Sequence, residues 1–152
     1  KVLTSDPFIP ADFVKSQGAE LVDFDTLLSE SDYISINAPL TDDTYHCINA
    51  AAFDKMKPSA LIVNTARGAL IDEDALYDAL ASHKIRAAGI DVYENYPKEL
   101  GNRFHKLDNV VLTPHMAWNT EESAVALHEE VVAEVVRFLE GKPNLNIVNR
   151  AK

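Results

Sequence analysis

The sequence predicts an α/β fold built on a doubly wound parallel sheet. Three observations carry that reading. Short, continuously apolar runs recur along the chain, at Val2–Thr4, Glu20–Val22, Tyr33–Ile36, Ala60–Val63, Ala87–Ile90 and Val110–Leu112. Stretches with helix start and stop signals lie between most of them. Strands alternating with helices make a parallel sheet covered on both faces, and strands buried on both faces read as unbroken apolar runs. The third observation is that polar or chemically capable residues directly follow five of the runs.

The elements follow in order. Pro10 suits the first turn of a short helix through Phe13 and Val14, which Gly18 ends. Asp25 is placed to cap a helical turn through Leu27 and Leu28. Ala50 to Met56 reads as a helix stopped by Pro58. Asp72, Glu73 and Asp74 put negative charge where a helix N-terminus favours it, and Ala75, Leu76, Ala79 and Leu80 form one apolar stripe behind them. Asn95 to Lys106 is a polar loop. A long helix runs from Thr120 to Glu140, and Gly141 and Pro143 stop it. Asn144 to Lys152 reads as a tail.

Composition sets outer bounds. The chain has 152 residues, 47% hydrophobic and 25% charged, enough for one domain with a sizeable core. A net charge of -10 argues against nucleic-acid or anionic-membrane partners. No apolar run reaches the ~18 residues of a membrane span, and no signal peptide is visible. Cys47 is the single cysteine, so no disulfide forms within the chain, which fits a reducing, cytoplasmic location. No metal site is expected.

Asp6 follows the first run, Asn37 follows Ile36, Asn64-Thr65-Ala66-Arg67 follows Val63, Asp91 follows Ile90, and Thr113-Pro114-His115 follows Leu112. In an open parallel sheet these ends lie on one edge, and ligands bind in the crevice at the carboxyl edge. Asp6, Asn37, Thr65, Arg67, Asp91 and His115 are therefore expected to face a common cleft. Any one of them also fits a plain helix cap or polar loop. An arginine and a histidine together make a coherent chemistry: a guanidinium fork matches a carboxylate, and an imidazole exchanges a proton near neutral pH.

Four blocks give these residues a family resemblance: Asn37-Ala38-Pro39-Leu40-Thr41, Val63-Asn64-Thr65-Ala66-Arg67-Gly68, Asp91-Val92-Tyr93-Glu94 and Leu112-Thr113-Pro114-His115-Met116-Ala117-Trp118. In order and spacing the set resembles the NAD-binding domain of the D-isomer-specific 2-hydroxyacid dehydrogenases. It is similar to the phosphoglycerate-dehydrogenase-like branch, and also to the C-terminal-binding-protein corepressors, which use the same fold as an NAD(H)-binding scaffold. The resemblance implies a Rossmann-type sheet and an oxidoreductase that moves a hydride between NAD(H) and a D-2-hydroxy acid or 2-keto acid. It also implies a homodimer of the full-length protein. The alternative it leaves open is an NAD(H)-sensing regulatory or scaffold protein.

The resemblance further implies roles. Arg67 would hold the substrate carboxylate, and His115 would exchange the proton with the carbonyl oxygen. Asp6 would accept from the adenosine ribose hydroxyls, which favours NAD over NADP. Asn37, Ala38 and Pro39 would line the adenosine side, and Thr65, Ala66 and Asp91 the nicotinamide end, with Arg67 and His115 beside the cofactor. Trp118 has two readings, a border of the substrate pocket or a buried packing aromatic. His46, His83, His105 and His128 read as surface or structural.

The sequence departs from the family pattern twice. The glutamate that usually partners the catalytic histidine lies five residues after the strand-end Asp and before a proline. Here Tyr96 stands there, ahead of Pro97, and Glu94 lies two residues early. A phenol can orient an imidazole but adds no charge to stabilise its protonated form. Reduction is therefore expected to fall off at a lower pH than in relatives, unless Glu94 reaches His115 instead. The second departure is larger. The Gly-rich turn is expected ~20 residues before the acidic residue, yet five residues precede Asp6, and Gly18, Gly68, Gly89, Gly101 and Gly141 form no such turn. Residues 1–116 are thus expected to be a partial NAD-binding domain lacking its first β-α unit. Residues 117–152 would be a crossing helix and tail toward a substrate domain outside the chain. The sheet is expected to be split where the missing strand belongs.

Overall fold

A computed structural model describes residues 1–94 and 103–147. It divides into two compact units, Lys1–His115 and Met116–Lys152. Among the described residues, the first unit contains six strands, all in parallel pairings: β1 (Leu3–Thr4), β2 (Glu20–Leu21), β3 (Tyr33–Ile36), β4 (Leu61–Asn64), β5 (Ala87–Ile90) and β6 (Val110–Leu112). They form two separate sheets, a two-stranded β1-β2 and a four-stranded β3-β4-β5-β6. A split sheet is what the sequence leads one to expect.

Helices connect the strands: α1 (Ala11–Ser16), α2 (Phe24–Glu30), α3 (Ala50–Lys55) and α4 (Glu73–Ala81). Each start has a local cause. Pro10 precedes α1 in an extended conformation. Asn49 caps α3 by accepting from the Ala52 N–H, and one Asp72 oxygen accepts from the Asp74 and Ala75 N–H groups at α4. The cap of α2 is Asp23, which accepts from the Thr26 N–H and hydroxyl, and not Asp25, which lies in the first turn. The two aspartates are near-equivalent in composition, but Asp23 alone has the extended backbone a cap requires. Those hydrogen bonds hold the Asp23 carboxyl below the usual range. Gly18, at φ +78°, ends α1 in the left-handed region where a side chain is disfavoured. Replacing Asp72 by Ala removes the acceptor from two N–H groups at once, and unfolding measured by denaturant titration is expected to lose about 1 kcal/mol.

The core lies on one face of the four-stranded sheet. Ile34, Ile36, Ile62, Ala88 and Ile90 point to it, and Leu28 of α2, Phe53 of α3, and Leu76 and Leu80 of α4 cover it. Each such buried aliphatic or aromatic side chain contributes ~1.5–3 kcal/mol. The opposite face differs from the expectation of two covered faces: Tyr33 is 76% and Val111 68% exposed. The strands are apolar on both faces, but the helices that pack within this unit cover only one. A smaller difference concerns β4, which runs one residue further than the apolar run, through Asn64. Asn64 fits because its side chain is buried and fully engaged in shaping the next turn, as described below.

Among the described residues, the second unit has one helix, α5 (Glu121–Leu139), with short segments before and after it. Thr120 caps it by accepting from the Ser123 N–H, and Gly141 ends it at φ +69°. The chain beyond turns back on the helix: Arg137 Nε donates to the Pro143 carbonyl, and the Leu145 N–H to the Glu134 carboxylate. None of the residues of α5 is buried, its valines included. Among the described residues, no helix is long and apolar enough to cross a membrane.

Candidate active site

Register lines up the strand ends. Ile36 pairs with Asn64, Asn64 with Ile90 and Ile90 with Leu112, so these four residues form one row across the sheet. The next residue of each strand, namely Asn37, Thr65, Asp91 and Thr113, then stands on the carboxyl edge. Asp6 follows β1 in the other sheet, where one carboxylate oxygen accepts from the Phe8 N–H at 2.8 Å. Asn37 turns back to its own strand, donating to the Ser35 carbonyl and hydroxyl at 3.3 and 3.1 Å. Ala38 and Pro39 follow it, and the Pro39 carbonyl accepts from the Thr44 hydroxyl.

The turn after β4 is built by Asn64. Its Oδ1 accepts from the Ala66 N–H at 3.0 Å, and its Nδ2 donates to the Arg67 carbonyl at 2.9 Å. With 1% of its surface exposed, Asn64 uses both ends of its amide to fix the main chain on either side of Ala66. Thr65 and Arg67 are left exposed on this turn, and the Arg67 guanidinium donates to the Ala66 carbonyl at 2.6 Å. Asn64→Asp keeps the acceptor but sets a carboxylate oxygen against the Arg67 carbonyl. Because a buried polar group then loses its partner, unfolding free energy is expected to fall by roughly 2–3 kcal/mol, read by denaturant titration.

The ends of β5 and β6 are tied to each other. Asp91 is 3% exposed. Its carbonyl accepts from the His115 N–H at 2.9 Å, and its carboxylate accepts from the Thr113 hydroxyl. Tyr93 adds a second tie, its hydroxyl donating to the Thr113 carbonyl at 3.1 Å, and burial pushes its phenol up. His115 is exposed and sits at φ +55°, a left-handed conformation held by its link to Asp91. Asp91 thus braces the turn that presents His115, a role the sequence pattern did not suggest.

Other residues contribute that sequence reasoning passed over. Gly68 lies directly on the main chain of Tyr93 and Glu94: a Cβ built on it would be 2.1 Å from the Tyr93 carbonyl carbon. Glu94 is not aimed along the edge. Its two oxygens take the Tyr45 hydroxyl at 3.0 Å and His46 Nε2 at 3.1 Å, and the carboxylate raises the Tyr45 phenol above its ordinary value. His46 is thereby a structural residue rather than a surface one. Tyr96 and Pro97 lie outside the described residues. Trp118, in the second unit, is 54% exposed within this chain.

Residues 1–117 match the D-isomer specific 2-hydroxyacid dehydrogenase, NAD binding domain. The chain belongs to this family. Among similar relatives are a D-3-phosphoglycerate dehydrogenase of Archaeoglobus fulgidus, 43% identical over 97% of this chain and 28% of the relative, and a glyoxylate reductase of Thermococcus litoralis, 44% identical over 88% and 40%. Among solved structures, the apo form of Escherichia coli D-lactate dehydrogenase matches with a TM-score of 0.87 and 40% identity, over 98% of this chain and 47% of that one. D-Lactate dehydrogenase of Lactobacillus jensenii with NAD+ matches with a TM-score of 0.89 and 30% identity, over 99% and 48%. The chain therefore spans less than half the length of these relatives. The α/β, Rossmann-like reading and the NAD-binding, 2-hydroxyacid-dehydrogenase family reading both hold.

Proposed function

We propose that this chain is part of a longer NAD-dependent D-2-hydroxyacid dehydrogenase, which reduces a 2-keto acid and oxidises the corresponding D-2-hydroxy acid. One observation carries the reading: Arg67 and His115 stand exposed on turns at the carboxyl ends of β4 and β6, with Asp91, just after β5, bracing the second. Arg67 holds the substrate carboxylate through its planar fork. His115 gives a proton to the carbonyl oxygen as that oxygen gains charge, and takes it back in the oxidative direction. NADH, when bound, supplies the hydride. Asp6 suits the ribose hydroxyls, since a carboxylate ending β1 accepts hydrogen bonds and repels a 2′-phosphate. Asn37 to Pro39 serve the adenosine side, Thr65, Ala66 and Asp91 the nicotinamide end, and Trp118 borders the substrate.

The residues present fit part of an NAD site. The strands form two separate sheets, and a further strand with its Gly-rich turn, binding pyrophosphate at a helix N-terminus, would join them. That split supports the reading that residues 1–116 form an incomplete dinucleotide domain and that the chain by itself is inactive. On the same reading, the helix from Thr120 leads toward a substrate domain, and the longer protein is a cytoplasmic homodimer. Its substrate is a small 2-hydroxy or 2-keto acid; nucleic acid, membrane and metal have no part in it.

The test is NADH oxidation by the longer protein with glyoxylate, hydroxypyruvate, pyruvate and bulkier 2-keto acids. Turnover with at least one, abolished with the analogue that lacks its 2-carbonyl group, is the expected result. Tight NAD(H) binding without turnover of any would instead establish the scaffold reading.

A further inference from the structure

A cluster outside the roles above fixes the turns that present them. Glu94 is held from three directions: Tyr45 at one carboxylate oxygen, His46 at the other, and the Glu73 carboxylate, which accepts from the Glu94 N–H at 2.7 Å. The Tyr45 and His46 rings stack with centroids 3.9 Å apart and planes 16° from parallel. The His46 and Glu94 side chains are about three-quarters buried, at 27% and 25% exposure, so the pair is screened far less than a surface pair. His46 adopts φ +49°. A non-glycine residue is disfavoured there, and such strain persists only where the surroundings over-determine it.

Two contacts lead from this cluster to Arg67. Gly68, the next residue, rests on the main chain of Glu94 so closely that a Cβ would lie 2.3 Å from its nitrogen. The His46 N–H also donates to the Ala69 carbonyl at 2.8 Å, beyond Gly68. The turn that carries Arg67 is thus seated on a surface whose position Glu94 sets.

We propose that Glu94, clamped by Tyr45 and His46, is a positioning residue for Arg67 and so governs the grip on the carboxylate of the 2-keto acid. The inference rests on the role given to Arg67 above. It differs from a part in proton transfer, because both Glu94 oxygens are engaged away from His115.

The experiment compares steady-state kinetics and melting of Glu94→Ala, Glu94→Gln, Tyr45→Phe and Arg67→Lys in the longer enzyme. Small misplacements of a positioning group cost up to ~100-fold, so Glu94→Ala is expected to raise the keto-acid KM ~10-fold while kcat and the NADH KM stay within about threefold. Glu94→Gln keeps an acceptor for Tyr45 and a polar atom toward His46 and is expected to recover most of the loss. Tyr45→Phe removes one tie and raises the keto-acid KM by a smaller factor. A loss that falls on kcat and both KM values alike, or an unchanged keto-acid KM in Glu94→Ala, overturns the proposal. If Glu94→Ala does not fold, unchanged keto-acid KM in both Glu94→Gln and Tyr45→Phe overturns it equally. Arg67→Lys separates the two readings. Should it leave the keto-acid KM unchanged, the role of Arg67 fails; should it raise KM where the Glu94 and Tyr45 variants do not, only the present inference fails.

Discussion

His115→Asn in the longer enzyme is expected to lower kcat/KM for keto-acid reduction by ~10²–10⁴, the usual worth of a general acid. That loss corresponds to about 3–5.5 kcal/mol of transition-state stabilisation. The choice of asparagine follows from the backbone. His115 sits at φ +55° with its N–H on the Asp91 carbonyl. Among non-glycine residues, asparagine enters this region most readily. The turn and its link to Asp91 are therefore kept while the titrating ring is lost. Alanine would mix a backbone effect with the chemical one. Melting temperature and NADH binding should stay close to those of the parent protein, so that the loss appears in kcat. Retention of activity within about threefold would remove His115 from the mechanism. Asp91→Asn gives a contrasting pattern, because it acts on the same turn without carrying the proton. It keeps the main-chain link from the His115 N–H to the Asp91 carbonyl, and it weakens the tie from the Thr113 hydroxyl.

Much of this edge was legible in the sequence, and the reason is local. Strands β3, β5 and β6 coincide with apolar runs because a short run bounded by turn residues has few other ways to bury itself. The polar residue after each run stands on the edge because parallel strands share one direction. The separation of the strands into two sheets was also expected from the sequence. What escaped were contacts with no local signature. Glu94 meets Tyr45 and His46 across 49 and 48 positions of sequence. Asn64 looked like the first loop residue, yet it ends β4 because its amide replaces two main-chain partners. Asp25 read as the cap of α2, yet Asp23 has the extended backbone of a cap and takes that place. Gly68 passed as one letter of a motif, although its missing side chain is what lets two turns meet.

Gly68→Ala is for that reason expected to be the most damaging alanine substitution among the described glycines. Gly68 does not occupy the left-handed region, so the argument is one of space and not of backbone freedom. An added Cβ would stand 2.1 Å from the Tyr93 carbonyl carbon and 2.3 Å from both the Glu94 nitrogen and the Tyr93 oxygen. These are main-chain atoms, which cannot rotate aside as a side chain can. Tyr93 is anchored through its hydroxyl to Thr113, and Glu94 through Glu73, Tyr45 and His46. The two turns would have to separate, at an overpacking cost of about 3 kcal/mol. Gly89→Ala supplies the control. Its Cβ would meet only Val63 side-chain carbons, at 3.6 and 3.8 Å, which is ordinary contact. Alanine in a strand also recovers ~0.5–1 kcal/mol of the entropy that glycine loses. Thermal and denaturant unfolding of the two variants should therefore diverge sharply. If Gly68→Ala unfolds like the parent protein, the close approach of the two turns is wrong, and the path from Glu94 to Arg67 loses its support with it. If stability falls as expected, any variant that still folds should bind keto acid more weakly than NADH is affected, because the displaced turn is the one that carries Arg67.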